Sequence, residues 1–148
     1  MTDPRPLPAI AIHGGAGTIE RRLLTPEQET LYHAGLAGAV RAGQLVLEQG
    51  GSALDAVTEA VVALEDYPLF NAGHGAVYTR DGKHELDASI MDGRTLATGA
   101  VGCVRRLRNP IRAARTASRP ATQIIGGTRC SAVLGDPNAC NSSISDLG

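Results

Sequence analysis

Apolar positions along this chain recur at helical spacing in two stretches and as short blocks elsewhere. Tyr32, Leu36, Ala39, Val40, Gly43 and Leu47 mark the buried stripe of a first helix. Thr25 is placed as its N-cap, Pro26 as its first residue and Gln28 as the closing half of a capping box. Gly50 and Gly51 end it. Ser52 caps a second helix, with Asp55 near the positive end of its dipole and Ala53, Ala56, Val57, Ala60, Val61 and Leu64 as its stripe. The small residues Ala39 and Gly43 allow another backbone to approach closely.

Short apolar blocks read as strands. Ala9–Ile12 is bounded by turn residues and predicts a buried strand, followed by a sharp turn over His13–Gly17. Ala76–Thr79 and His84–Ala88 flank Asp81-Gly82, a hairpin signal. Asp92-Gly93 marks a second turn, Thr98–Val104 a third strand after the loop, and Asn109-Pro110 the start of a helix through Ile111 and Ala114. Beyond Arg115 neither period persists; residues 116–148 contain no Lys, no Glu and no aromatic residue. The expected division is therefore residues 1–115 and a poorly ordered tail, 116–148.

Leu64–Val77 fits neither pattern. Pro68 prevents helix continuation, and Gly73 and Gly75 permit backbone angles closed to other residues. Leu69, Phe70, Ala72 and Val77 favour burial. A buried loop must find partners for its carbonyls, each orphan costing about 1–3 kcal/mol. Either the loop packs on itself, or its carbonyls hold a hard cation.

Composition narrows the class. With 43% hydrophobic and 20% charged residues the chain suits a globular protein of one domain. Only 3% is aromatic, so the core must be built from small aliphatic side chains. A net charge of −1 without a basic block argues against nucleic acid, and no apolar run is long enough for a membrane helix. The start, with Asp3, Pro4 and Pro6, is not a signal peptide, which points to the cytoplasm. Cys103, Cys130 and Cys140 give neither a disulfide framework nor metal-ligand spacing.

Several chemistries lack a required part. His13-Gly14-Gly15 suggests an esterase oxyanion loop, but no Gly-x-Ser-x-Gly elbow follows. Nor does a Gly-Lys-Ser/Thr end make this a phosphate loop. His13 is expected to be structural, and His33 and His84 solvent-facing. Asp87 and Asp92 are separated by an expected turn and do not form a catalytic pair. Thr128, after Gly127, is a weak candidate for a nucleophile.

Three blocks in order resemble the plant-type asparaginases, also called isoaspartyl peptidases: Ile10–Gly17, Leu64–Val77 and Glu85–Gly93. Gly51–Val57 and the stretch from Gly102 to Asn109-Pro110 match as well, so the resemblance covers roughly residues 8–115. It implies the α/β fold of the N-terminal-nucleophile hydrolases, a four-layer αββα sandwich, here its N-terminal half only. The implied activity is hydrolysis of L-asparagine or β-aspartyl peptides by a threonine that autocatalytic cleavage frees. The main-chain carbonyls of Leu64, Glu65, Tyr67, Phe70, Ala72 and His74 match the family's sodium loop, so a structural sodium and no organic cofactor is implied. Asn71 matches a residue that supports the active site by hydrogen bonding. The family's Gly-Thr-Val-Gly motif is not in this sequence, and family precursors are about twice as long. The expectation is a truncated chain without the β-subunit nucleophile, inactive alone. The alternative is a non-catalytic α-like subunit, or a frame-shifted fragment, acting through a β-like subunit or as a homo-oligomer.

Overall fold

The computed structural model describes residues 7–14 and 20–118 and the backbone of 123–126. Helix α1 spans Pro26–Glu48 and begins with the expected capping box. Gln28 N–H donates to Thr25 Oγ1 at 3.2 Å and Thr25 N–H to Gln28 Oε1 at 2.9 Å. Gly50, at φ +78°, ends the helix, and Gly51 N–H returns to the Val46 carbonyl. Helix α2, Ala53–Asp66, starts where Ser52 Oγ accepts the Asp55 N–H at 3.1 Å.

The two helices pack through small residues. Gly35, Ala39 and Gly43 are the buried residues of α1, and a Cβ on Gly43 would stand 2.8 Å from the Ala56 carbonyl. Of the stripe expected on α2, Ala56 and Ala60 are buried, while Val57 is exposed and Thr58 and Glu65 turn inward.

Strands β1 (Leu86–Met91), β2 (Thr98–Val104) and β3 (Gln123–Gly126) form one sheet in that order. β1 and β2 are antiparallel through the Asp92–Ala97 turn, where Leu96 rather than Gly93 takes positive φ, +61°. β2 and β3 are parallel, with helix α3 (Pro110–Ala117) as the crossover. A Cβ on Gly99 would overlap the Ala114 carbonyl, so α3 lies close on β2 at that position. Leu86, Ile90, Val101, Val104, Ile111, Ala113 and Ala114 form the core there. The opposite face carries Asp87, Ser89 and Met91, all exposed; no described element covers it.

Three arginines of α3 and the preceding loop pair with acids along α2. Arg108 meets Asp66, Arg112 meets Glu59 and Arg115 meets Asp55, at 3.1, 3.1 and 2.7 Å. The β1–β2 ladder contains a bulge, because Leu86 faces Val104 while Ala88 faces Val101. Cys103 sits there at φ +54°, and its N–H, lost to the ladder, donates to Asp87 Oδ1 at 2.7 Å.

Several local expectations change. Residues 9–12 form no strand: Ile10 and Ile12 are half-buried, and no described strand runs beside them. Ala76–Thr79 is not a strand, because the Val77 N–H is taken by the Asn71 side chain. The turn near Asp81-Gly82 does form, with Gly82 N–H donating to Thr79 O, but the hairpin partner of β1 is β2. Asp87 and Asp92 are separated by the length of β1, not by a turn. His33 is exposed as expected. His84 is half-buried against Tyr78, ring centroids 4.2 Å apart, with Nδ1 buried and unpartnered among the described residues. Within the segment expected to lack structure, α3 continues to Ala117 and β3 occupies 123–126. No helix among the described residues is long and apolar enough to cross a membrane.

Candidate functional site

Tyr67 ends α2, and from Pro68 the chain folds into a tight loop closed by a 3-10 turn over Gly73–Gly75. Aromatic packing holds this loop to α1. Phe70 is 5% exposed, between Tyr32 and Tyr67 at ring-centroid distances of 5.9 and 5.6 Å. Tyr67 donates its hydroxyl to the Leu31 carbonyl at 3.0 Å. In a chain with only four aromatic residues, three serve this loop.

The loop supplies partners for much of its own backbone. The carbonyls of Leu64, Tyr67, Phe70 and Ala72 accept the N–H groups of Tyr67, Phe70, Ala72 and Gly75 in turn. Carbonyls also converge on the two glycines. A Cβ on Gly75 would overlap the Phe70 oxygen and stand 2.5 Å from that of Pro68, and a Cβ on Gly73, at φ +48°, would overlap the Glu65 oxygen. Each carbonyl keeps a second lone pair, and neutral oxygens are the kind of ligand a hard cation takes. Among the described residues no cluster of His, Cys, Asp or Glu side chains is arranged to hold a metal ion. The His74 side chain is exposed.

Asn71 closes the loop from the other side. Its Oδ1 accepts the Val77 N–H at 2.9 Å, and its side chain stays exposed. Between the loop and the start of β1 lies a cleft of about 330 Å³, with Glu65, Asn71, Gly73, Glu85 and Asp87 in its wall. Its lining offers carboxylates and an amide but no hydroxyl, thiol or amine. The described part of the cleft therefore supplies no hydroxyl, thiol or amine nucleophile.

Two adjacent acids at the end of α2, Glu65 in the cleft wall and Asp66 beside it, are shifted in opposite directions. Glu65 is 3% exposed, and burial pushes its carboxyl above the ordinary value, opposed by the N–H of Ile111. Its Oε1 accepts that N–H at 3.0 Å while Oε2 has no hydrogen-bond partner among the described residues. Asp66 is held below the ordinary value, first by the Arg108 guanidinium and then by the Asn109 amide. Sequence reasoning identified Glu65 for its carbonyl and missed its side chain, whose partner is 46 residues away. Thr128 lies outside the described residues.

The asparaginase family model matches residues 6–126. The isoaspartyl peptidase of Salmonella typhimurium is 61% identical over 106 residues, which is 72% of this chain and 34% of that protein. An isoaspartyl peptidase/L-asparaginase of Xenopus laevis is 44% identical over 93% of this chain and 44% of its own length. A plant-type L-asparaginase of Thermococcus kodakarensis is 53% identical over 72% of this chain and 33% of its own. The chain thus spans about a third to under a half of the relatives it matches. The family model covers more than half of the chain, which therefore belongs to the asparaginase family.

Proposed function

We propose that this chain supplies the N-terminal, α-type portion of an amidohydrolase that acts on L-asparagine or β-aspartyl peptides. The observation that carries this reading is the family match across residues 6–126, with the 61% identity to an isoaspartyl peptidase. The cleft beside Asn71 agrees with it, since its carboxylates and amide can position a substrate and it offers no hydroxyl, thiol or amine nucleophile. In this reading the nucleophile is a threonine freed by autocatalytic cleavage and contributed by a β-like subunit. Its own amine then serves as the base. The chain alone is inactive, and Thr128 is not that nucleophile.

The same reading completes the fold. A four-layer αββα sandwich would place a second sheet on the exposed face of Asp87, Ser89 and Met91. A second copy of the chain is the other candidate to cover that face. The carbonyls of Leu64, Glu65, Tyr67, Phe70, Ala72 and His74 would hold a structural sodium ion, which rigidifies the loop that carries Asn71. The exposed free thiol of Cys103 suits a reducing compartment, the cytoplasm.

The test is a chimera in which residues 6–115 replace the matching residues of the Salmonella isoaspartyl peptidase. Aspartate release from a β-aspartyl dipeptide by the chimera, and none by the isolated chain, is the expected result. A folded chimera without activity would refute the assignment. Release by the isolated chain that Thr128→Ala abolishes would move the nucleophile into this sequence.

A further inference from the structure

The chain carries Asp-Gly pairs on both sides of β1, Asp81-Gly82 in the turn before it and Asp92-Gly93 in the turn after it. As sequence the two are alike, because glycine puts no side chain in the way of a carboxyl that approaches its amide nitrogen. The fold makes them different.

Asp81 is exposed, and neither its carboxylate nor its carbonyl has a hydrogen-bond or ionic partner among the described residues. Gly82 is exposed too, at φ +68° with open space around it. One bond restrains the pair: Gly82 N–H donates to the Thr79 carbonyl at 2.9 Å. Breaking one exposed turn bond of this kind costs less than about tenfold in population.

Asp92 is partly buried and held at three points. Its N–H donates to the Ala97 carbonyl at 2.9 Å, its carbonyl accepts the Leu96 N–H at 2.7 Å, and its Oδ1 accepts the Arg94 N–H at 2.9 Å. The last bond favours the ionised carboxyl, which lies below its ordinary value. An ionised carboxylate is a poor electrophile. The Gly93 N–H has no partner among the described residues, but the carboxyl it would attack is tied down.

We propose that Asp81 is a site of spontaneous isomerisation to isoaspartate and that the fold protects Asp92 from the same reaction. The Gly82 nitrogen attacks Asp81 Cγ, and an N–Cγ bond forms. The amide proton and the carboxyl hydroxyl leave as water, which closes a five-membered succinimide. Water then opens the ring. Addition at Cγ breaks the new bond and restores aspartate. Addition at the Asp81 main-chain carbonyl carbon breaks the original bond to Gly82 and leaves the chain running through Cγ. One water leaves and one enters, so the mass is unchanged and no other reactant is needed. The backbone gains one atom between Val77 and Leu86, both of which line the cleft beside Asn71. The bonds from Thr79 to Gly82 and Lys83, which close the turn, then lose their register. The inference is independent of the amidohydrolase reading.

The test is ageing of the full 148-residue chain near neutral pH at physiological temperature. Peptide mapping with electron-based fragmentation locates isoaspartate, and circular dichroism checks that the chain stays folded. Isoaspartate at residue 81 in several-fold excess over residue 92 is expected. The guanidinium-unfolded chain should age alike at both sites. Gly82→Ala should slow the reaction at 81 several-fold, and Asp81→Asn, which loses ammonia instead of water, should speed it. No isoaspartate at 81 in the folded chain overturns the proposal, as do equal amounts at both sites. The same excess at 81 in the unfolded chain overturns it too, because the fold would then not select the site.

Discussion

The Glu65 carboxylate, on α2, caps the start of α3 by accepting the Ile111 N–H at 3.0 Å. Ile111 is the second residue of that helix, where an amide has no intrahelical partner. Asn109, the local N-cap residue, makes no side-chain cap bond and donates instead to Asp66 Oδ1 at 3.1 Å. A residue from a distant helix thus does the work that sequence assigns to a neighbour.

Removing that cap should be costly. Glu65→Ala is expected to lower stability by about 1–3 kcal/mol, since it orphans the Ile111 amide. Glu65→Gln keeps an acceptor and removes a buried charge, so it should cost less. The folded carboxyl lies above its ordinary value of 4.5, so Glu65 contributes most to stability below that value and less as pH rises through its folded value. Urea denaturation at a series of pH values should show the Gln variant gaining on the wild type as pH rises. The opposite trend would contradict the assignment.

Asp66 should behave in the reverse sense. Its folded value lies below 3.8, because Arg108 and Asn109 bind the ionised form. Asp66→Asn is expected to cost at most about 1 kcal/mol near neutral pH, the pair being largely exposed. That cost should fade as pH drops through the lowered folded value. Added salt should shrink it as well, whereas the Glu65 effect, being buried, should persist.

The glycines give a graded series. Gly73→Ala and Gly75→Ala place a Cβ onto carbonyl oxygens of the loop, and each should lose more than about 2 kcal/mol. Gly82 has φ +68° but open space, so Gly82→Ala should cost only about 1 kcal/mol. Gly38, in α1 with nothing near it, should gain roughly 0.5–1 kcal/mol on change to Ala. Thermal unfolding of the four variants tests this order, and similar losses at Gly75 and Gly82 would refute the loop packing.

Asn71 can be separated into its two atoms. Asn71→Asp retains the Oδ1 acceptor and should keep the Val77 amide protected from hydrogen exchange. Asn71→Ala should expose that amide and cost about 1 kcal/mol. Equal exchange in all three proteins would show that the side chain does not close the loop.

Helix starts and stops were legible in the sequence because they are local. The capping box at Thr25 and Gln28, the cap at Ser52 and the turn at Gly50 each depend on residues within a few positions. The loop, too, stood out, since Pro68, Gly73 and Gly75 break both periods. Strand partners were not legible. β1 was assigned to a hairpin with residues 76–79, yet it pairs with β2, because Asn71 takes the Val77 N–H that such a ladder needs.

By itself, then, the sequence determined the helices, the caps of α1 and α2, the loop and the family resemblance, all set by short-range geometry or by the residues themselves. Only the tertiary structure decided how the polar groups are paired. Glu65 reaches Ile111, Asp87 reaches Cys103 and Arg115 reaches Asp55 across 46, 16 and 60 residues. A buried donor or acceptor must be matched by whatever packing brings within about 3 Å. No spacing along a chain encodes that neighbour.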